Sequence, residues 1–165
     1  MADTLYDIRL SNDPAHYETG AAIMAATDPW ITLEMGLDRC HGAFDGPDKE
    51  KYFAFDGTNI AGFAVIQTAG SFRGYIQILC AAPEYRGRGV GTALLQFCEQ
   101  RIHQFSPNVF ICVSSFNTAA QQLYFRYGFE KVGLLKDFVR TGYDELLLRK
   151  TIGSWNHFLV KNFKF

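Results

Sequence analysis

Three glycines at alternate positions, set between a strand-like and a helix-like segment, carry the most chemical content in this sequence. The stretch reads Pro83-Glu84-Tyr85-Arg86-Gly87-Arg88-Gly89-Val90-Gly91-Thr92. Glycine lets the backbone approach a ligand closely and take positive φ. With a helix starting at Val90, the amides of residues 86–91 point outward at its N-terminus, where the macrodipole favours negative charge. A pyrophosphate fits such a turn without a dedicated cationic pocket, and Arg86 and Arg88 add charge-assisted contacts. A P-loop would need a Lys that is absent. A dinucleotide fingerprint fits poorly, because the spacing is Gly-x-Gly-x-Gly and the next strand ends Val113-Ser114-Ser115 with no carboxylate. A glycine-rich turn without a ligand is the plain alternative.

Tyr124 is the second candidate. It sits in a helical pattern, Ala120, Leu123, Tyr124 and Tyr127, that Asn117 opens and Gly128 closes. Taken alone, a tyrosine there is a core aromatic and Asn117 a helix cap.

The segments that must position these residues follow from periodicity. Residues 5–10 alternate as a strand, 14–26 read as a helix capped by Asn12 or Asp13, and 30–40 read as a second helix with Asp28 capping and Pro29 in its first turn. Residues 51–55 and 60–68 form a hairpin around Asp56-Gly57-Thr58-Asn59, and 74–82 form a further strand. Then come a helix over 90–105, a buried strand over 109–113, the helix over 118–127, and strands near 130–135 and 145–151. This order predicts an α/β (α+β) chain with one central sheet and helices on both faces.

Composition sets the outer limits. The 165 residues suit one domain, and a net charge of −1 without a basic run gives no reason to expect a nucleic-acid partner. Cys40, Cys80, Cys98 and Cys112 are scattered without metal-ligand spacing, so neither a metal nor a disulfide framework is expected. His16, His41, His103 and His157 fall in separate segments. Neither a signal-peptide pattern nor a membrane-length apolar run is apparent, so no membrane partner is expected and the expected location is cytoplasmic.

Arg86-x-x-Gly89-x-Gly91 resembles the pyrophosphate motif of the GNAT N-acetyltransferase superfamily. Asn117-x-x-Ala120-x-x-Leu123-Tyr124-x-x-x-Gly128-Phe129 resembles its second block, and together the two cover roughly residues 76–135. The resemblance implies a mixed, mostly antiparallel sheet with two splayed parallel strands, in one domain over residues 1–165. It also implies an activity, transfer of acetyl from acetyl-CoA (a co-substrate, with no metal) directly to an amine on a protein N-terminus, a lysine or a small molecule. The pantetheine arm would pair with backbone near Leu79, Cys80 and Ala81. Its pyrophosphate would rest on Arg86, Gly87, Arg88, Gly89, Val90, Gly91 and Thr92, with Asn117 contacting the cofactor or capping its helix. A strand amide would stabilise the oxyanion.

Tyr124 occupies the family position that stabilises the leaving thiolate. A tyrosine's ordinary pKa near 10 lies above a thiol's near 8.5, so full proton donation is uphill by roughly 2 kcal/mol, and hydrogen bonding is an equal reading. Many relatives carry a general-base Glu on the strand before the glycine turn. Here that strand reads Tyr75-Ile76-Gln77-Ile78-Leu79-Cys80, which leaves the base open. Acceptor choice would fall to Trp30, Glu34, Phe138 and Tyr143. The aromatic tail, residues 154–165, is expected to pack on the body or on a second subunit, in a monomer or homodimer. The alternative function is a catalytically weak CoA-binding module or sensor.

Overall fold

The computed structural model describes residues 6–163; Leu5 of the first predicted strand and Phe165 of the tail lie outside the described residues. The strands are β1 (Asp7–Leu10), β2 (Lys49–Asp56), β3 (Asn59–Gln67), β4 (Tyr75–Ala81), β5 (Asn108–Ser114), β6 (Glu130–Arg140) and β7 (Tyr143–Thr151). The helices are α1 (Pro14–Ala25), α2 (Leu37–Gly42), α3 (Val90–Ile102), α4 (Thr118–Tyr127) and α5 (Trp155–Asn162). One seven-stranded sheet runs β1-β2-β3-β4-β5-β7-β6. Every neighbouring pair is antiparallel except β4 and β5.

That parallel pair opens the sheet. Its register holds only at Tyr75↔Phe110 and Ile76↔Ile111, after which the strands diverge. A bulge in the β3–β4 ladder, where Ile66 pairs Ile76 but Val65 pairs Ile78, leaves Gln77 as the extra residue. An inserted residue reverses the faces that follow it. Ile76 accordingly packs with Leu94 and Ile102 of α3, whereas Ile78 and Cys80 pack with Met24 and Phe44 on the opposite face.

Both faces are filled. Val90, Leu94, Leu95, Cys98 and Ile102 of α3 bury against Ile111, Val113 and Leu148. On the other face the rings of Phe44, Phe53 and Phe63 lie 5.5–6.0 Å from one another. Each buried ring contributes about 1.5–3 kcal/mol.

The predicted second helix over 30–40 is corrected. Residues 28–34 form successive turns, and α2 begins only at Leu37. Glu34 takes φ +53° and Gly36 is extended at the head of α2, so the hydrogen-bond ladder breaks between them. Asp28 still accepts from the Thr32 amide and hydroxyl, but it closes a turn, and Trp30 and Leu33 reach the core from that turn. The tail forms α5, which buries Phe158 and places Trp155 under the Arg73 guanidinium at 4.3 Å.

Candidate active site

The glycine turn takes the shape that the sequence demands. Pro83–Tyr85 form a single 3-10 turn, Gly87 and Gly89 follow at φ +70° and +83°, and α3 starts at Val90. No side chain caps α3, and its first intrahelical bond comes from the Ala93 amide to the Gly89 carbonyl. The amides of Val90, Gly91 and Thr92 therefore stay available to an anion. A Cβ on Gly87 or Gly89 would meet nothing within 4 Å, so the backbone there faces open space. The Val90 side chain is core, and Gly91 lies against Leu123 of α4.

A cleft of about 840 Å³ passes through the gap between β4 and β5. Its walls include Leu79, Cys80 and Ala81 on β4, Arg86 of the turn, and Asn117 and Tyr124 from α4. Past Ile76 the β4 edge facing β5 has no strand partner. Asn117 caps α4 by accepting from the Ala120 amide at 3.3 Å while also lining the cleft. Arg88 points elsewhere: its guanidinium stacks 4.8 Å from the Tyr85 ring, beside a second concavity that includes His16 and Asn59.

Tyr124 enters from the α3/α4 side and is buried. Burial, with Cys80 and Glu145 nearby, pushes its pKa well above the ordinary tyrosine value, so it remains a hydrogen-bond donor. Its helix is held in place by Tyr127, which donates to Glu99 at 2.6 Å, while Lys150 of β7 meets the same carboxylate at 2.8 Å. Burial also raises the Cys80 thiol to about 12 and moves Cys112 upward, which makes both poor nucleophiles.

Of the residues expected to choose an acceptor, Trp30 and Phe138 line the cleft, together with Leu33 and Met35. Glu34 and Tyr143 lie outside it. Glu34 receives Arg140 at 2.8 Å, and Arg140 also donates to the Thr32 carbonyl and stacks on Tyr143. Arg140 thus straps the loop before α2 to the β6–β7 hairpin. Among the described residues, no group of three or more His, Cys, Asp or Glu side chains could hold a metal ion.

The sequence reading missed Glu145. It is buried on β7 opposite Ser114, whose hydroxyl donates to Oε1 at 2.5 Å, and it lines the same cleft. Burial raises its pKa, partly offset by that hydrogen bond. Gln77, the bulge residue, also lines the cleft, and its Oε1 is buried without a hydrogen-bond partner.

Comparison with known proteins agrees with this geometry. N-alpha-acetyltransferase RimI of Mycobacterium tuberculosis is 28% identical over 143 residues, covering 83% of this chain and 85% of its own. The crystal structure of a GNAT-family acetyltransferase from Desulfovibrio desulfuricans matches with TM-score 0.75 and 20% identity, over 90% of this chain and 99% of that one. Arabidopsis thaliana NAA60 in complex with acetyl-CoA matches with TM-score 0.73 and 20% identity, over 90% and 99% of the two chains. The model of the Acetyltransferase (GNAT) family matches residues 4–129, which takes in the splayed strands, the glycine turn and Tyr124, and the chain belongs to that family.

Proposed function

We propose that this chain is an N-acetyltransferase that moves the acetyl group of acetyl-CoA directly to a primary amine, with the α-amine of a peptide or protein N-terminus as its acceptor class. One observation carries the reading: a single cleft joins an unpaired β4 edge, the glycine turn at Arg86 and the buried hydroxyl-bearing ring of Tyr124. The similarity to an Nα-acetyltransferase supports the acceptor class, as does an apolar mouth of Trp30, Leu33, Met35 and Phe138 able to take a peptide's first side chain.

The chain's own groups fit the co-substrate. Amides of Arg86 to Thr92 take the pyrophosphate, with open space at Gly87 and Gly89 for its approach. The free edge of Leu79, Cys80 and Ala81 pairs with the pantetheine amides, much as a missing strand would. The thioester supplies the activated carbonyl carbon. A β4 backbone N–H beyond the bulge donates to its oxygen, and that bond strengthens as charge develops there. Tyr124 donates a hydrogen bond to the sulfur as the C–S bond breaks. Its raised pKa favours this role over outright proton transfer.

The test is CoA release, read with a thiol reagent, across N-terminal peptides, lysine peptides, polyamines and small amines. Release above the no-acceptor rate for N-terminal peptides, with the acetyl group located on the α-nitrogen by mass spectrometry, is the expected result. Release only with side-chain or small amines would move the acceptor class. A flat panel would overturn the reading.

A further inference from the structure

The two sides of the gap offer different chemistry, because register and alternation fix which side chains share a face. Ile111, Val113, Leu146 and Leu148 pack into the α3/α4 cluster that contains Tyr124. Their alternates on β5 and β7, Cys112 and the cross-strand pair Ser114↔Glu145, therefore face the α1/α2 side. Tyr75 of β4 precedes Ile76, which packs into the α3/α4 cluster, so alternation puts Tyr75 on that side as well. The loop residues Trp30, Leu33 and Met35 line this part of the cleft. An acceptor that enters past them shares this cleft with Glu145.

Glu145 is the one carboxylate lining this cleft that is buried; Asp28, the other, is exposed and committed to Thr32. Ser114 holds Oε1 and so fixes the rotamer. No second hydrogen bond to the carboxylate is formed among the described residues. Gln77 on β4 offers an unpartnered carbonyl oxygen in the same cleft, an acceptor for an N–H that cannot itself keep a proton.

We propose that Glu145 is the proton acceptor for the incoming amine, with Gln77 Oε1 orienting the amine and Ser114 positioning the carboxylate. The proposal rests on the acetyl-transfer reading above. The acceptor binds as an ammonium and gives one N–H proton to the Glu145 carboxylate. The neutral nitrogen attacks the thioester carbon, a C–N bond forms, and the C–S bond breaks with its electron pair on sulfur. The nitrogen's surplus proton neutralises the thiolate beside Tyr124, leaving an amide and free CoA, and Glu145 returns its proton to solvent through the open cleft. The titratable groups coupled to Glu145 are Tyr75, Cys112 and Tyr124; burial raises all three above their ordinary values, so each keeps its proton and leaves Glu145 as the acid of this set that ionises first.

The test compares wild type, Glu145→Gln and Ser114→Ala across pH, with acetyl-CoA and the best N-terminal peptide as substrates. Glu145→Gln is expected to lower turnover at about pH 7 by at least about a hundredfold and to abolish the acid limb of the profile, with the KM for acetyl-CoA unchanged. The deficit should shrink as rising pH neutralises the amine. Ser114→Ala removes a hydrogen bond that lowers the Glu145 pKa, so the acid limb should survive but move to higher pH. Near-normal turnover in Glu145→Gln, or a loss equal at every pH, would overturn the proposal. A second measurement needs no turnover: in protein carrying ¹³C-labelled glutamate with CoA bound, the resonance missing from Glu145→Gln should shift when ethylammonium is titrated in. A silent resonance overturns the role of Glu145. A flat acceptor panel with a responsive resonance overturns only the acetyl-transfer reading.

Discussion

Tyr124 and Glu145 enter the gap between β4 and β5 from opposite faces of the sheet, the tyrosine from α4 and the carboxylate from β7. The proposed direct transfer would use both faces. A proton must leave the nitrogen on the acceptor side while charge appears on sulfur on the cofactor side. Burial keeps the tyrosine protonated, and it leaves the carboxylate a stronger base than an exposed one.

Tyr124→Phe should lower turnover at least about tenfold while acetyl-CoA affinity hardly changes, because the lost bond is made to charge that exists only as the thiolate departs. Steady-state kinetics combined with calorimetric binding of CoA would check both halves. Near-normal turnover would remove Tyr124 from the mechanism.

The buried carboxylate also has a cost that appears as pH-dependent stability. The folded-state pKa of Glu145 is raised, so the folded protein holds that proton more tightly than the unfolded chain does. The associated stability is fully present below the ordinary glutamate value and is lost as pH rises through the raised one. Glu145→Gln should therefore melt about a few degrees above wild type at about pH 8, and the gap should close toward about pH 4. Equal melting temperatures at both pH values would show that burial of this group carries no penalty.

Gly89→Ala tests the phosphate turn through its backbone. The added methyl meets nothing within 4 Å, yet the residue sits at φ +83°, where an L side chain costs about 1–2 kcal/mol. If the chain relaxes that strain by rotating its amides away from the anion, CoA should bind at least about tenfold more weakly. Calorimetry with CoA and with a pantetheine lacking the phosphates separates the two parts, since only the CoA affinity should fall.

The contrast between the turn and the carboxylate explains what the sequence could disclose. Gly87, Gly89, Asn117 and Gly128 are dictated by local backbone geometry, so residue type and spacing announce them. Glu145 is dictated by register. Asp144 and Glu145 are adjacent acids before three leucines, and nothing local says which one faces the cleft until Ser114 is paired opposite. The pairing of a small polar residue at the end of one buried strand with an acid at the start of another is the only hint. The missed break between Trp30 and Cys40 is of the same kind. Gly36 falls inside the predicted helix, and the turns before it are fixed by distant partners, among them Arg140 on the Thr32 carbonyl.

The tail supplies the last test. Ser154 caps α5 by accepting from the His157 amide, and Phe158 is 3% exposed, with Trp155 edge-on at 5.9 Å and Arg73 over the indole. A ring so enclosed leaves a cavity when truncated, so Phe158→Ala should cost about 3 kcal/mol in urea unfolding. Truncation after Gly153 removes the whole element and exposes the surface beneath it, so solubility should fall or a new assembly state should form. Val160, on the same helix, is 75% exposed, and Val160→Ala should be neutral within about 0.5 kcal/mol. The two single substitutions together distinguish a helix packed through Phe158 from one that lies loosely on the surface: in the second case both would be neutral, and truncation would change neither solubility nor assembly.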